Sequence, residues 1–235
     1  MINVYAVAPL AETRKKIWTV YDFMRANKIW PNIITFGSLA SGCSTWSEFE
    51  RVLAAMEGQE VKANEYVLSC AVTVAKSDRR SDRSQLVELF RQVSRKGPVN
   101  EKTAQYLLKE LFDVPNVPQV MEVWSSGLLR RTGGLYDAVI EGLISAGDVE
   151  GALDVVAEAR EHPGEGEGTG RSEGVAVVVD LRVYLELVRA CEKKGMVRGS
   201  LRVMDMMKTD GVDFYEYRWL DVLFKKGLEV FNMIV

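Results

Sequence analysis

Histidine is nearly absent from this sequence and cysteine is scarce, with one His and three Cys in 235 residues. The cysteines (Cys43, Cys70 and Cys191) are odd in number, form no Cys-x-x-Cys pair and fall in apolar stretches of helical spacing. That pattern disfavours a disulfide framework or a zinc site and points to buried thiols in a reducing compartment. His162 stands where a helical stretch ends beside a glycine-rich loop, the place of a helix-terminus residue rather than a catalyst. There is no nucleotide-binding glycine loop, no nucleophile elbow and no metal-ligand spacing. The many carboxylates are scattered, as on helix surfaces. The sequence therefore predicts no enzyme activity, no cofactor and no metal.

No apolar run is long enough to span a membrane. The patch Val4 to Leu10 is followed, not preceded, by Arg14, Lys15 and Lys16, the wrong order for a secretory signal, and it makes a poor transit peptide. No charge sign dominates: 30 Lys and Arg stand against 33 Asp and Glu, with pI about 5.5. A protein that grips nucleic acid mainly through phosphates is usually basic, so only a local basic patch is left for that role.

What is present is helical periodicity, in a chain 47% apolar. Residues 135–160 show it best. Tyr136, Val139, Ile140, Leu143 and Ile144 recur at spacings of three and four, and so do Val149, Ala152, Leu153, Val156 and Ala157. Each set forms one apolar helix face. Gly147 can take the left-handed turn that ends the first helix, Asp148 can cap the second, and small Ala152 allows close approach. A helical hairpin of this kind cannot bury its apolar face alone and needs neighbours.

The same grammar runs along the chain. A helix over 11–27 carries Ile17, Tyr21 and Met24, and Pro31 in the junction Lys28 to Asn32 blocks its continuation. A helix to about Cys43 follows. Ser47 with Glu50 reads as a capping box for a helix bearing Phe49, Val52, Leu53 and Met56. Next come a helix with Tyr66, Val67, Cys70 and Val74, a basic break from Ser77 to Ser84, and helices over Leu86 to Val93, Ala104 to Leu111 and about 119–125. After His162, Pro163 to Gly174 is a glycine-rich acidic loop without apolar anchors; Glu165, Glu167 and Glu173 match no calcium-loop spacing. Helices around Tyr184 and Met204 follow, and the chain ends Phe-Asn-Met-Ile-Val with no polar cap, so a partner protein or further domain is expected there.

Aligning Phe36, Leu68, Ala104, Tyr136, Tyr184 and Tyr217 gives steps of 32, 36, 32, 48 and 33, the long step containing the loop. Helical hairpins with a period of about 34 suggest tetratricopeptide or pentatricopeptide repeats. The Trp and Leu-Gly pair of the former are mostly missing. Lys28 to Gly37, KIWPNIITFG, resembles the junction of pentatricopeptide repeats, with worn copies at VKAN, GPVN and GVD, and residues 135–156 resemble the body of that motif. The expected fold is all-α: a right-handed α-solenoid of helix-turn-helix repeats, about five to six units. The expected divisions are 1–32, a partial repeat; 33–162, repeats; 163–174, a flexible loop; and 175–235, C-terminal repeats ending in a partial one.

The resemblance implies action on organellar RNA, one base per repeat being read by the fifth residue of the first helix with the last residue of the repeat. Carried onto this chain, the pairs are Gly37 with Asn64, Ser69 with Asn100, Gln105 with Thr132, Asp137 with no clear partner, and Leu185 with Asp213; Arg218 is the fifth residue of the last unit. Ser69 with Asn100 alone matches a pairing the family uses, one associated with adenine. Gly37 has no side chain to read with, and Leu185 cannot hydrogen-bond. Residues 76–102 hold eight cations (Lys76, Arg79, Arg80, Arg83, Arg91, Arg95, Lys96 and Lys102) against four carboxylates. They can contact phosphates without reading sequence, or form solvated helix faces. With a degraded code, an acidic balance and a short array, the expectation is a non-catalytic structural subunit of a mitochondrial ribosome or similar ribonucleoprotein, or its plastid counterpart. RNA and neighbouring proteins are the expected partners, and a membrane is not. The alternatives are a sequence-specific RNA factor and a protein-binding scaffold.

Overall fold

The computed structural model describes residues 11–78, 81, 83–113, 117–161, 179 and 181–211. Eleven α-helices and no strand occur among the described residues. They are α1 (Ala11–Ala26), α2 (Ile33–Ser41), α3 (Trp46–Glu57), α4 (Glu65–Ser77), α5 (Arg83–Ser94), α6 (Glu101–Phe112), α7 (Val117–Ser125), α8 (Gly133–Ala146), α9 (Val149–Glu161), α10 (Leu181–Lys193) and α11 (Val197–Thr209). Two compact units form. Unit one runs to Leu111 and includes Met121–Leu129; unit two holds Phe112–Val120 and the chain from Arg130 onward. The Pro163 to Gly174 loop, His162 and the apolar C terminus lie outside the described residues.

In unit one, α2 packs on its hairpin partner α3 and on α4, and α4 packs on α5. In unit two, α8 packs on α9 and on α10, while α9 also meets α11. First helices thus layer on first helices, and in unit two second helices layer on second helices. The periodic apolar faces make the cores. Phe36, Leu68, Ala104, Tyr136 and Tyr184, five of the six residues aligned from sequence, are buried, and Tyr217 lies outside the described residues. Around them lie Val67, Leu107 and Leu108 in unit one and Val139, Leu143, Ala152 and Leu187 in unit two. Each fully buried Val or Leu contributes about 1.5–3 kcal/mol of transfer free energy, and that face burial stabilises helices only 9 to 16 residues long.

The hairpin turn at Gly147 forms as expected. Gly147 has φ 83, its N–H and that of Asp148 close on Ile144 and Leu143, and Asp148 Oδ1 accepts from Gly151 N at 3.0 Å. The cap of α3 differs from the sequence reading. Thr45 and Glu48 make the capping box, two residues before the expected Ser47 and Glu50. Both pairs have the same spacing, but starting at Thr45 places Trp46 inside the helix, buried and stacked on Phe49 at 5.4 Å. Asp78, just past α4, then accepts from Trp46 N at 2.9 Å and ties the two hairpins together.

A tyrosine near the start of a first helix recurs as a polar tie within unit two. Tyr184 donates to Asp210, which also pairs with Arg160 at 2.9 Å; Arg131 pairs with Glu158 at 2.7 Å beside the Tyr136 ring. Burial, reinforced by Asp210, holds the Tyr184 hydroxyl above its ordinary pKa. In unit one, Gln59 donates to Tyr21 Oη at 3.0 Å.

Candidate functional site

The residues that precede the first helices share one local job. Asn32 Oδ1 accepts from Ile34 N and Thr35 N, Asn64 Oδ1 from Val67 N at 3.1 Å, and Asn100 Oδ1 from Lys102 N at 3.0 Å. Each satisfies a backbone donor that the helix start leaves open. The carbonyl ends of Asn64 and Asn100 are therefore committed to capping. Both residues are exposed, and the amide NH2 is what they offer to an outside acceptor. Thr132 occupies the same place before α8 without a side-chain cap bond.

The helix starts fix the fifth positions as Gly37, Ser69, Gln105, Asp137 and Leu185. Gly37 is buried, and a Cβ there would sit 3.0 Å from the Tyr66 ring, so that ring lies across the place a reading side chain would occupy. Ser69 is exposed, and Gln105 is half-buried with its amide donating to Glu101 at 3.2 Å. Asp137 and Leu185 are half-buried in unit two. Asp213 and Arg218 lie outside the described residues.

The basic segment is less available than its composition implies. Arg83 is buried against Glu110 at 3.5 Å, with Nε donating to the Glu110 carbonyl at 3.4 Å. It joins α5 to α6. Arg91 pairs with Glu122 and Glu88, and Lys96 Nζ donates to the Ala63 carbonyl at 2.8 Å. Lys76 and Arg95 are exposed; Arg79 and Arg80 lie outside the described residues.

The surface of α4 and α6 carries something the sequence reading missed. Tyr66 reads there as part of an apolar face with Val67, Cys70 and Val74, but in the structure it is 54% exposed while Val67 and Val74 are buried. Counting from the fifth residue by three and four, the open side of α4 shows Tyr66, Ser69, Thr73 and Lys76, and that of α6 shows Lys102, Gln105, Tyr106 and Lys109. Tyr106 is 60% exposed. Glu65 Oε1 holds the two helix starts in register, accepting from Asn100 N at 2.9 Å and Thr103 Oγ1 at 3.3 Å. The result is a strip of two aromatic rings, three lysines and polar side chains, with the carboxylates of Glu65 and Glu101 engaged beside them. Helical counting from Ser69 and Gln105 was the signal that could have found it.

Two half-buried thiols, Cys43 after α2 and Cys70 on α4, lie near each other. Burial, with Glu48 and Cys70 adding to it, pushes the Cys43 thiol up to about 12; burial pushes Cys70 up to about 11 against a hydrogen bond with Tyr66. Both are raised from 9.0, so the folded state prefers the protonated thiols. That stabilisation is complete below about pH 9 and is lost as pH rises toward 11–12. At pH 8 the raised pKa lowers the Cys43 thiolate fraction, so alkylation by iodoacetamide should be at least about tenfold slower than in urea-unfolded chain. Peptide mapping of the labelled sites checks this; equal rates in the two states would contradict the burial. Among the described residues no group of three or more His, Cys, Asp or Glu could hold a metal, and no helix is long and apolar enough to cross a membrane.

No family model matches the chain, and no curated protein matches it. Solved structures do. The crystal structure of the pentatricopeptide repeat protein PPR10 from maize superposes with a TM-score of 0.50 at 16% identity, over 86% of this chain and 28% of that one. The chain has a pentatricopeptide-repeat-like fold. Two structures of PPR10 in complex with an 18-nt psaJ RNA element align at 16% identity, with a TM-score of 0.43, over 90% of this chain and 31% of theirs. The chain thus spans under a third of the length of the pentatricopeptide repeat structures it matches. In the terms of that fold, α2, α4, α6, α8 and α10 are first helices, and the strip on α4 and α6 lies on the first-helix layer of unit one.

Proposed function

We propose that the protein is a non-catalytic, RNA-associated subunit of a mitochondrial ribosome or a similar organellar ribonucleoprotein, which holds single-stranded RNA by stacking and charge and does not read its sequence. The observation that carries this reading is the strip of Tyr66, Ser69, Thr73, Lys76, Lys102, Gln105, Tyr106 and Lys109 on consecutive first helices. Aromatic rings stack on any base, and lysines follow any backbone, so such a surface binds without a code. Support also comes from the fold shared with PPR10, a protein crystallised with RNA. Ring coverage at Gly37 argues against base reading at that position. The organelle and the neighbouring proteins follow from the family resemblance alone.

Sedimentation tests the assembly. Tagged protein in the source cell should travel through a sucrose gradient with organellar ribosomal subunits and leave them at high salt. Migration apart from ribosomal RNA, with a small set of messengers bound, would instead identify a transcript factor built on Ser69 and Asn100.

A further inference from the structure

The second helices of unit one carry a surface of opposite character. Between α3 and α5, with the turn from Glu60 to Ala63 as a third wall, lies a groove of about 640 Å³. Leu53, Met56, Val61 and Leu89 give it apolar walls; Glu57, Glu60, Glu88 and Lys62 stand around it, and Lys96 reaches the Ala63 carbonyl at its edge. Glu57 and Glu60 are exposed; Glu88 is 3.8 Å from Arg91, which is shared with Glu122. We infer that this groove docks a basic segment of a partner protein that inserts an apolar side chain between α3 and α5.

Charge complementarity selects the occupant. The exposed carboxylates of Glu57 and Glu60 attract Lys and Arg, while the groove behind them offers apolar walls to an inserted side chain. Glu60 sits at φ 56, in the left-handed region, as does Lys28 in the turn after α1, where the turns after α7 and α11 use Gly127 and Gly211 at φ 70 and 71. A non-glycine residue there costs roughly 1–2 kcal/mol. The inference stands apart from the RNA reading, since it uses the second helices and the opposite charge.

The probe is a short fluorescein-labelled lysine/leucine peptide of amphipathic spacing, titrated into the full chain, with a glutamate/leucine peptide as its counterpart. The basic peptide should bind and shift the Met56 methyl resonance. The triple variant Glu57→Gln, Glu60→Gln, Glu88→Gln should weaken it by roughly tenfold or more. Equal charge removal at the exposed Glu150, Glu161 and Glu192 should leave the affinity nearly unchanged. Glu60→Gly should raise the melting temperature and weaken the peptide together, which separates docking from folding. The inference is overturned if the triple variant binds as tightly as the parent, if Met56 stays unmoved at saturation, if the acidic peptide binds equally, or if the basic peptide does not bind.

Discussion

Glu110→Ala is expected to destabilise the chain by about 3–5 kcal/mol, the usual cost of removing one partner of a buried ion pair. Glu110 is 4% exposed and faces Arg83 at 3.5 Å, so the substitution strands a buried guanidinium. The cost comes from desolvation and not from the lost attraction alone. An apolar replacement of both groups, Arg83→Met with Glu110→Leu, should therefore recover most of the stability. Urea unfolding checks both. The same reasoning separates Arg83 from the exposed cations: Arg83→Ala should lower stability, and RNA affinity measured on the folded fraction should not change. A loss under about 1 kcal/mol on Glu110→Ala would mean that Arg83 reaches solvent and is open to a phosphate after all.

The second large effect belongs to the strip. Tyr66→Ala and Tyr106→Ala should each weaken single-stranded RNA binding by about 1–3 kcal/mol, or roughly 5- to 150-fold, the range found for base stacking on aromatic side chains. Both rings are largely exposed, so neither truncation should cost much stability. Phenylalanine at either position should keep most of the affinity, because the ring and not the hydroxyl supplies the contact. Ser69→Ala should leave affinity within about twofold, since water replaces a lost exposed hydrogen bond at small net cost. Fluorescence anisotropy with a labelled oligonucleotide distinguishes these outcomes. The reverse order, with Ser69 critical and the tyrosines dispensable, would favour base reading.

The hairpin architecture was legible because burial imposes a period on the sequence. Phe36, Leu68, Tyr136 and Tyr184 are buried where the alignment of repeats places them, and Gly147 with Asp148 turns the chain as their chemistry predicts. The start of α3 was ambiguous, since Thr45 with Glu48 and Ser47 with Glu50 both satisfy the capping pattern, and the contact that decides between them is the burial of Trp46. The site was harder to read. Composition marks 76–102 as basic but cannot reveal that Arg83 meets Glu110, Arg91 meets Glu122 and Lys96 meets the Ala63 carbonyl, pairs 27 to 33 residues apart. Tyr66 was hidden for a different reason. It adjoins Val67 and Leu68 in an apolar run, and one helix position separates the buried face from the open one.

The same limit applies to the terminal asparagines. Asn64 and Asn100 look like halves of a base-reading pair, and the structure gives both an ordinary reason to be asparagine, namely the cap of the following helix. Capping and reading use different ends of the amide, so their presence does not by itself establish a code.

Selection of bound RNA from a random single-stranded pool, followed by sequencing at low and high salt, decides whether the strip binds RNA without a code. Binding is expected at low salt with no enriched motif, a steep loss as salt rises, and a shallower salt dependence when Lys76, Lys102 and Lys109 are replaced by alanine. Enrichment of a defined motif, with one adenine whose preference disappears in Ser69→Ala or Asn100→Ala, would contradict binding without a code.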